Sequence, residues 1–135
     1  MAAEAYALLS QIVDNNELPI DEAVRPRIRG GATISSREYL EVLSERERLK
    51  LEFAAATADV DGLLLPVTTT PAFFTRWVNF LDLCGLAVPN GMTTSGLPLS
   101  LQIVCPGGDE AMALRIGWAW ENSTDWYERI PPLAQ

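Results

Sequence analysis

The residue types that perform hydrolytic chemistry are nearly missing from this 135-residue chain: it has no histidine, and Lys50 is its only lysine. Without an imidazole, neither a Ser-His-Asp nor a Cys-His arrangement can be assembled, because both need a base that takes the nucleophile's proton near neutral pH. A Ser-Lys mechanism needs a lysine whose surroundings remove its proton. Lys50 instead stands in charged sequence between Arg48 and Glu52 and reads as a solvated cation. The adjacent hydroxyls Ser35 and Ser36 could form a nucleophile and its relay, but Glu38 follows Ser35 at the spacing of a helix capping box, which is the better reading. Cys84 and Cys105 lie far apart in apolar runs without a CxxC and read as two small buried thiols rather than a disulfide or a metal pair. Zinc therefore lacks ligands. Asp59 with Asp61, and Asp109 with Glu110, offer carboxylates to magnesium but fit helix-end and N-cap positions better. No metal and no cofactor are expected, since the chain also lacks GxGxxG and GxxxxGK[ST]. Gly107-Gly108 would present N–H groups to an anion, yet Asp109 supplies that anion from the chain itself. There remain Thr75, Asn79 and Asp82, polar side chains in apolar context and candidates for a substrate pocket; the alternative is that they satisfy local backbone groups.

Composition bounds the rest. At 48% hydrophobic and 21% charged residues the chain is globular rather than disordered, and its length allows burial of roughly two-thirds of the unfolded surface. A net charge of -8 and a pI near 4.4 repel phosphate backbones, so no direct nucleic-acid partner is expected. No apolar run approaches the length of a bilayer span and the first residues carry no leader pattern, so the expectation is a cytoplasmic protein with no membrane partner.

The elements that must position those side chains alternate between helix and strand. Residues 3–13 read as a short helix, and "DNNELPIDEAVRPRIRGG" as a loop or broken helical turn. The Ser35/Glu38 box opens a long amphipathic helix whose apolar stripe is Tyr39, Val42, Leu49, Phe53, Ala56 and Val60, with Arg46 filling the one gap. "DGLLLPV" reads as a strand buried on both faces, hence part of a parallel or mixed sheet. "FTRWVNFLDLCG" is compatible with a helix, "LAVPNGM" with a short strand ending in a turn, and "GLPLSLQIVCP" with an alternating strand. Asp109 caps a last helix, "EAMALRIGWAWEN", so poor in charge that it should be covered on most sides, which a chain of this size cannot easily do alone. The expected fold class is α/β, a mixed sheet covered by helices, with residues 1–135 as one domain portion and no second domain.

The order of these pieces resembles the carboxy-terminal part of the amidase signature family, over nearly the whole chain. The family's Asp-x-Leu-Leu-x-Pro-Thr strand motif is matched by Asp61, Leu63, Leu64 and Pro66, with Val67 departing; its Thr-x-x-x-Asn by Thr75 and Asn79; its next strand end by Pro89 and Gly91; its Gly-Leu-Pro-x-x-x-Gln by Gly96, Leu97, Pro98 and Gln102. The resemblance implies amide hydrolysis, or glutamine amidohydrolysis in transamidating relatives, by a Ser–cis-Ser–Lys triad on a Gly- and Ser-rich segment. That segment belongs to the amino-terminal part of the family's domain. The implied fold is thus a partial amidase signature domain lacking its amino-terminal strands, with Met1 at a cloning boundary or a misassigned start. A small-molecule amide would be a substrate only together with the missing part. Where general amidases of the family have Asn-x-x-Gly-x-Pro-Ala this chain has Asn79 to Gly85, and "NFLDLCGLAVPNG" is closer to the allophanate-hydrolase branch, whereas "LPLSLQIV" is closer to the general amidases; the segment between Pro71 and Thr75 is shorter than in relatives with an insertion near the pocket.

Three readings follow: a fragment of an amidase, inactive by itself; a natural small subunit or pseudo-enzyme that completes a partner amidase or amidotransferase; and an unrelated α/β binding domain. The gene sequence upstream separates them. A chain lacking its family's cover should also form a homo-oligomer. Purified alone, the chain is expected to turn over no amide and to take up no fluorophosphonate probe; stoichiometric labelling of Ser35, Ser36 or Ser100 would overturn the fragment reading.

Overall fold

Arg25 explains why the polar stretch after the first helix has a definite path. In the computed structural model, which describes residues 1–67 and 75–130, its guanidinium donates to the carbonyls of Val13 at 2.6 Å, Asn15 at 2.7 Å and Leu18 at 2.6 Å. These are acceptors left open at and beyond the end of α1 (Ala2–Val13). The stretch expected to be a loop or broken turn contains α2 (Arg25–Arg29) and a 3₁₀ turn (Gly30–Thr33), both lying against α1. Val13 is the buried anchor of this part. The chain divides into two compact units, Met1–Glu45 and Arg46–Gln135, with the boundary inside α3 (Ser36–Ala56).

The start of α3 is the capping box expected from Ser35 and Glu38. The Glu38 N–H donates to Ser35 Oγ at 3.2 Å, and the Ser35 N–H donates to the Glu38 carboxylate at 2.8 Å. The Ser35 hydroxyl and N–H both donate to that carboxylate and lower the Glu38 pKa, since they stabilise its ionised form. The buried stripe differs from the expected one. Val42, Ala56 and Val60 are exposed, and the half-buried positions are Tyr39, Leu43, Arg46, Leu49, Lys50, Phe53 and Thr57. Tyr39, Arg46, Leu49 and Phe53 are as expected; Leu43, Lys50 and Thr57 are the additions, and a hydrophobic count passes over Lys50 because its head is charged.

Three strands form one sheet in the order β1-β3-β2: β1 (Leu63–Val67), β2 (Cys84–Met92) and β3 (Pro98–Cys105). Both neighbouring pairs are antiparallel. The expectation of a strand buried on both faces fails for β1, an edge strand in which Leu64 and Pro66 are exposed while Leu63, Leu65 and Val67 are half-buried. Pro66 has no N–H for a second neighbour, which suits an edge. The continuous burial lies instead in β3, where Gln102, Ile103, Val104 and Cys105 are all buried because the strand is paired on both sides. α4 is only Arg76–Phe80, and Cys84 and Gly85, assigned above to that helix, open β2. "PNG" is a bulge rather than a strand end: the register slips between Pro89 and Gly91, Gly91 takes φ 139°, and β2 resumes to Met92. The residues between Pro71 and Thr75 that bear on the expected insertion site lie, apart from Thr75, outside the described residues.

α5 (Glu110–Ser123) packs on β2 and β3, with Asp109 as the expected N-cap accepting from the Met112 N–H at 3.3 Å. Gly117 allows the close crossing, since a Cβ there would stand 2.6 Å from Leu86 Cδ2. The core is Val88, Ile103, Cys105 and Ala113, surrounded by Leu86, Ile116 and Trp120. Only one face of α5 is covered, contrary to the expectation of cover on most sides: Leu114 is 61% and Trp118 70% exposed, while Trp120 turns in to donate to the Pro89 carbonyl at 2.9 Å. Replacing Ser35 by Ala should lower stability by roughly 0.5 to 2 kcal/mol with the fold intact; an unchanged denaturant midpoint would show that the box contributes nothing.

Candidate functional site

Of the three candidate pocket residues, α4 brings two together. Thr75 occupies the N-cap position without a side-chain capping bond, and Asn79 follows it by four residues, so the two share a helix face. Both are exposed. Asp82 lies past the end of the helix, where its N–H still reaches the Asn79 carbonyl at 3.4 Å. Its backbone is left-handed at φ 54°, which Asp tolerates better than most residues.

The Asp82 side chain turns to α3. One carboxylate oxygen is bound by the Arg46 guanidinium and the other accepts from Lys50 Nζ at 3.1 Å. Arg46 also donates to the Phe80 carbonyl and lies 6.0 Å from that ring's centroid. Arg46 therefore holds both residues flanking Leu81, and the sequence offers one signal of this, a cation in the gap of an apolar stripe. The hydrogen bond from Lys50, with the Arg46 charge, depresses the Asp82 pKa; the bonds to Asp82 and then to Glu47, at 3.4 Å, raise that of Lys50. Lys50 is thus not the lone solvated cation expected but the member of a charge cluster that favours its protonated form, the opposite of what a Ser-Lys base requires.

Beside this cluster a cleft of about 590 Å³ runs past Lys50, Phe53, Thr57, Leu83 and Gly107. Gly107 is required by close approach, since a Cβ would fall 1.9 Å from the Asp82 carbonyl oxygen. The turn before α5 and the turn after α4 are therefore in backbone contact. On β3, Gln102 is the one buried polar side chain among the described residues, 6% exposed, and its Oε1 has no hydrogen-bond partner there. Such a carbonyl is costly unless a donor reaches it. Gln102 belongs to the Gly-Leu-Pro-x-x-x-Gln pattern but is absent from the candidate site residues, because sequence alone does not distinguish a buried glutamine from an exposed one. Among the described residues no group of acidic and cysteine side chains is arranged to hold a metal, and no helix is long and apolar enough to cross a membrane.

Because the folded-state pKa of Asp82 is depressed, its contribution to stability is present above the ordinary aspartate value of 3.8 and is lost as pH falls through the lowered one. Asp82→Asn keeps the backbone conformation accessible and removes the charge. It should reduce the melting temperature at pH 7 by an amount that shrinks steadily below pH 3.8. A deficit that stays constant down to acid unfolding would mean that the ion pairs contribute nothing.

No family model matches the chain. It is 39% identical over 113 residues to a glutamyl-tRNA(Gln) amidotransferase subunit from Synechococcus sp., covering 72% of this chain and 22% of the relative. It is 32% identical over 152 aligned positions to the protein of the same name from Geotalea daltonii, covering 96% of this chain and 31% of the relative. The chain therefore spans less than a third of the length of these relatives. Among solved structures it superposes on a crystal structure of an amidase with a TM-score of 0.80 and 25% identity, over 90% of this chain and 33% of the other. Sequence order, fold and partial coverage agree in supporting a carboxy-terminal fragment of an amidase signature family enzyme.

Proposed function

We propose that this chain is the scaffold and substrate-pocket portion of an enzyme that hydrolyses the C–N bond of a small-molecule amide, with the Ser–cis-Ser–Lys triad supplied by the amino-terminal part of the domain. The observation that carries this is the superposition of nine-tenths of the chain on one third of an amidase. The residues agree with it: the single lysine is held protonated by Asp82 and Glu47, and no histidine replaces it. Thr75 and Asn79, side by side on exposed α4, are the pocket-facing pair in this reading, with Asp82 fixing the turn that follows them. The family resemblance, with its transamidating relatives, keeps glutamine's carboxamide within the proposed substrate class.

The uncovered face is the structural counterpart of that assignment. Leu64 on edge strand β1 is exposed, as are Leu114 and Trp118 on α5, and an open strand edge with an exposed leucine is a place where soluble chains pair. Alone, the chain self-associates through this surface, most simply as a two-fold dimer. Its two free thiols suit the reducing cytoplasm.

One preparation tests these points together. An amino-terminal amidase portion carrying the Ser-rich segment and its lysine is produced separately and mixed with this chain. Ammonia release from small amides should appear only in the mixture, the homo-oligomer seen by sedimentation velocity should give way to a one-to-one complex, and Asn79→Ala should raise KM more than it lowers kcat. Ammonia release by this chain alone, or a clean monomer indifferent to the added portion, would overturn the proposal.

A further inference from the structure

Cys84 and Cys105, distant in sequence, are direct partners across the β2–β3 ladder. Opposed residues of an antiparallel pair have Cα atoms about 4.5 or 5.5 Å apart, depending on their place in the hydrogen-bond pattern. Both spacings lie within the roughly 4.4–6.8 Å that a disulfide spans. Their side chains leave the same sheet face: Cys105 belongs to the core under α5, and Cys84 packs against that core. Both thiols are free; Cys105 is 1% exposed and Cys84 is half-buried. Burial, followed by the neighbouring Cys84 and Asp109, pushes the Cys105 thiol above its ordinary pKa.

We propose that Cys84 and Cys105 form a redox modification site, closing to an intrachain disulfide by exchange with a small-molecule disulfide. The more open Cys84 gives up its proton to solvent and attacks one sulfur of the oxidant. The oxidant's S–S bond breaks, one of its halves leaves as a thiolate and is protonated, and a mixed disulfide remains on Cys84. Cys105, shielded from bulky reagents but opposite Cys84, then loses its proton and attacks Cys84 Sγ, expelling the second half as a thiol. The protein gives up two electrons and two protons, and the oxidant becomes two thiols.

Position gives the bond a consequence. Asp82 lies two residues before Cys84 and Gly107 two residues after Cys105, and the two turns are already in backbone contact. A bond between the cysteines clamps the strand ends from which both turns emerge, at the end of the hairpin opposite its Thr93–Leu97 turn. Oxidation therefore rigidifies the floor of the cleft beside Lys50.

The test uses the whole chain incubated with excess oxidised glutathione, then alkylated and mapped by mass spectrometry. The expected result is a linked Cys84–Cys105 peptide, a protein mass lower by two hydrogens, no disulfide dimer on a non-reducing gel, a higher melting temperature than the reduced form, and full reversal by dithiothreitol. Cys105→Ala should stop at a glutathione adduct on Cys84; if that variant does not fold, Cys105→Val fills the buried site and serves the same purpose. Two glutathione adducts on the wild-type chain, an intermolecular disulfide, or unreacted Cys84 would each overturn the proposal.

Discussion

Everything in the second unit depends on β3 being the strand with a neighbour on each side. With β1 along one edge and β2 along the other, its backbone polar groups are satisfied within the sheet, and its side chains from Gln102 to Cys105 can be buried on both faces. Ile103, wholly inaccessible, is the contact point for α5, and Gly117 lets the helix settle near it. The antiparallel register then determines which residues meet elsewhere, Cys84 with Cys105 and Gly85 with Val104 among them. A slip of one residue would turn Ile103 out of the core and bring in Gln102.

The charge cluster depends on the same sheet indirectly. β2 begins where Asp82 and Leu83 bring the chain out of α4, and β3 ends where Pro106 to Gly108 bring it into α5. These two turns touch because their strands are neighbours, and Arg46 with Lys50 draws the Asp82 turn onto α3. The ion pairs are more than a third exposed on the Asp82 side, so solvent screens them and their main effect is positional. They hold a left-handed residue in place and give the only lysine an anionic partner.

The uncovered groups also form a pattern. Leu64, Leu114 and Trp118 are exposed at the rim of a core that is closed where its own elements meet, whereas Gln102 Oε1 is unpaired although buried. The matched amidase is a longer chain, of which this one covers 33%.

Local chemistry is legible in the sequence. The Ser35/Glu38 box, the Asp109 cap, the helix–strand order and the family's ordered motifs are all readable because each depends on neighbours within a few residues, or on motif order along the chain. Where the decision is tertiary, the sequence misleads. Three leucines look alike whether their strand is central or at an edge, so β1 reads as doubly buried; Pro and Gly serve bulges as readily as turns, so "PNG" reads as a turn. The α3 stripe is as read at Tyr39, Arg46, Leu49 and Phe53, but takes Leu43 in place of Val42 and adds Lys50, which counts as polar although its charge is bound. Thr75 and Asn79 can be paired by spacing alone, but the binding of Asp82 to α3, the facing of Cys84 and Cys105, and the open carbonyl of Gln102 each require the register and packing of segments distant in sequence. By itself the sequence determined the elements and the family. The meeting of distant side chains was left to tertiary structure, because strand pairing and helix contact bring together residues whose separation along the chain carries no record of it.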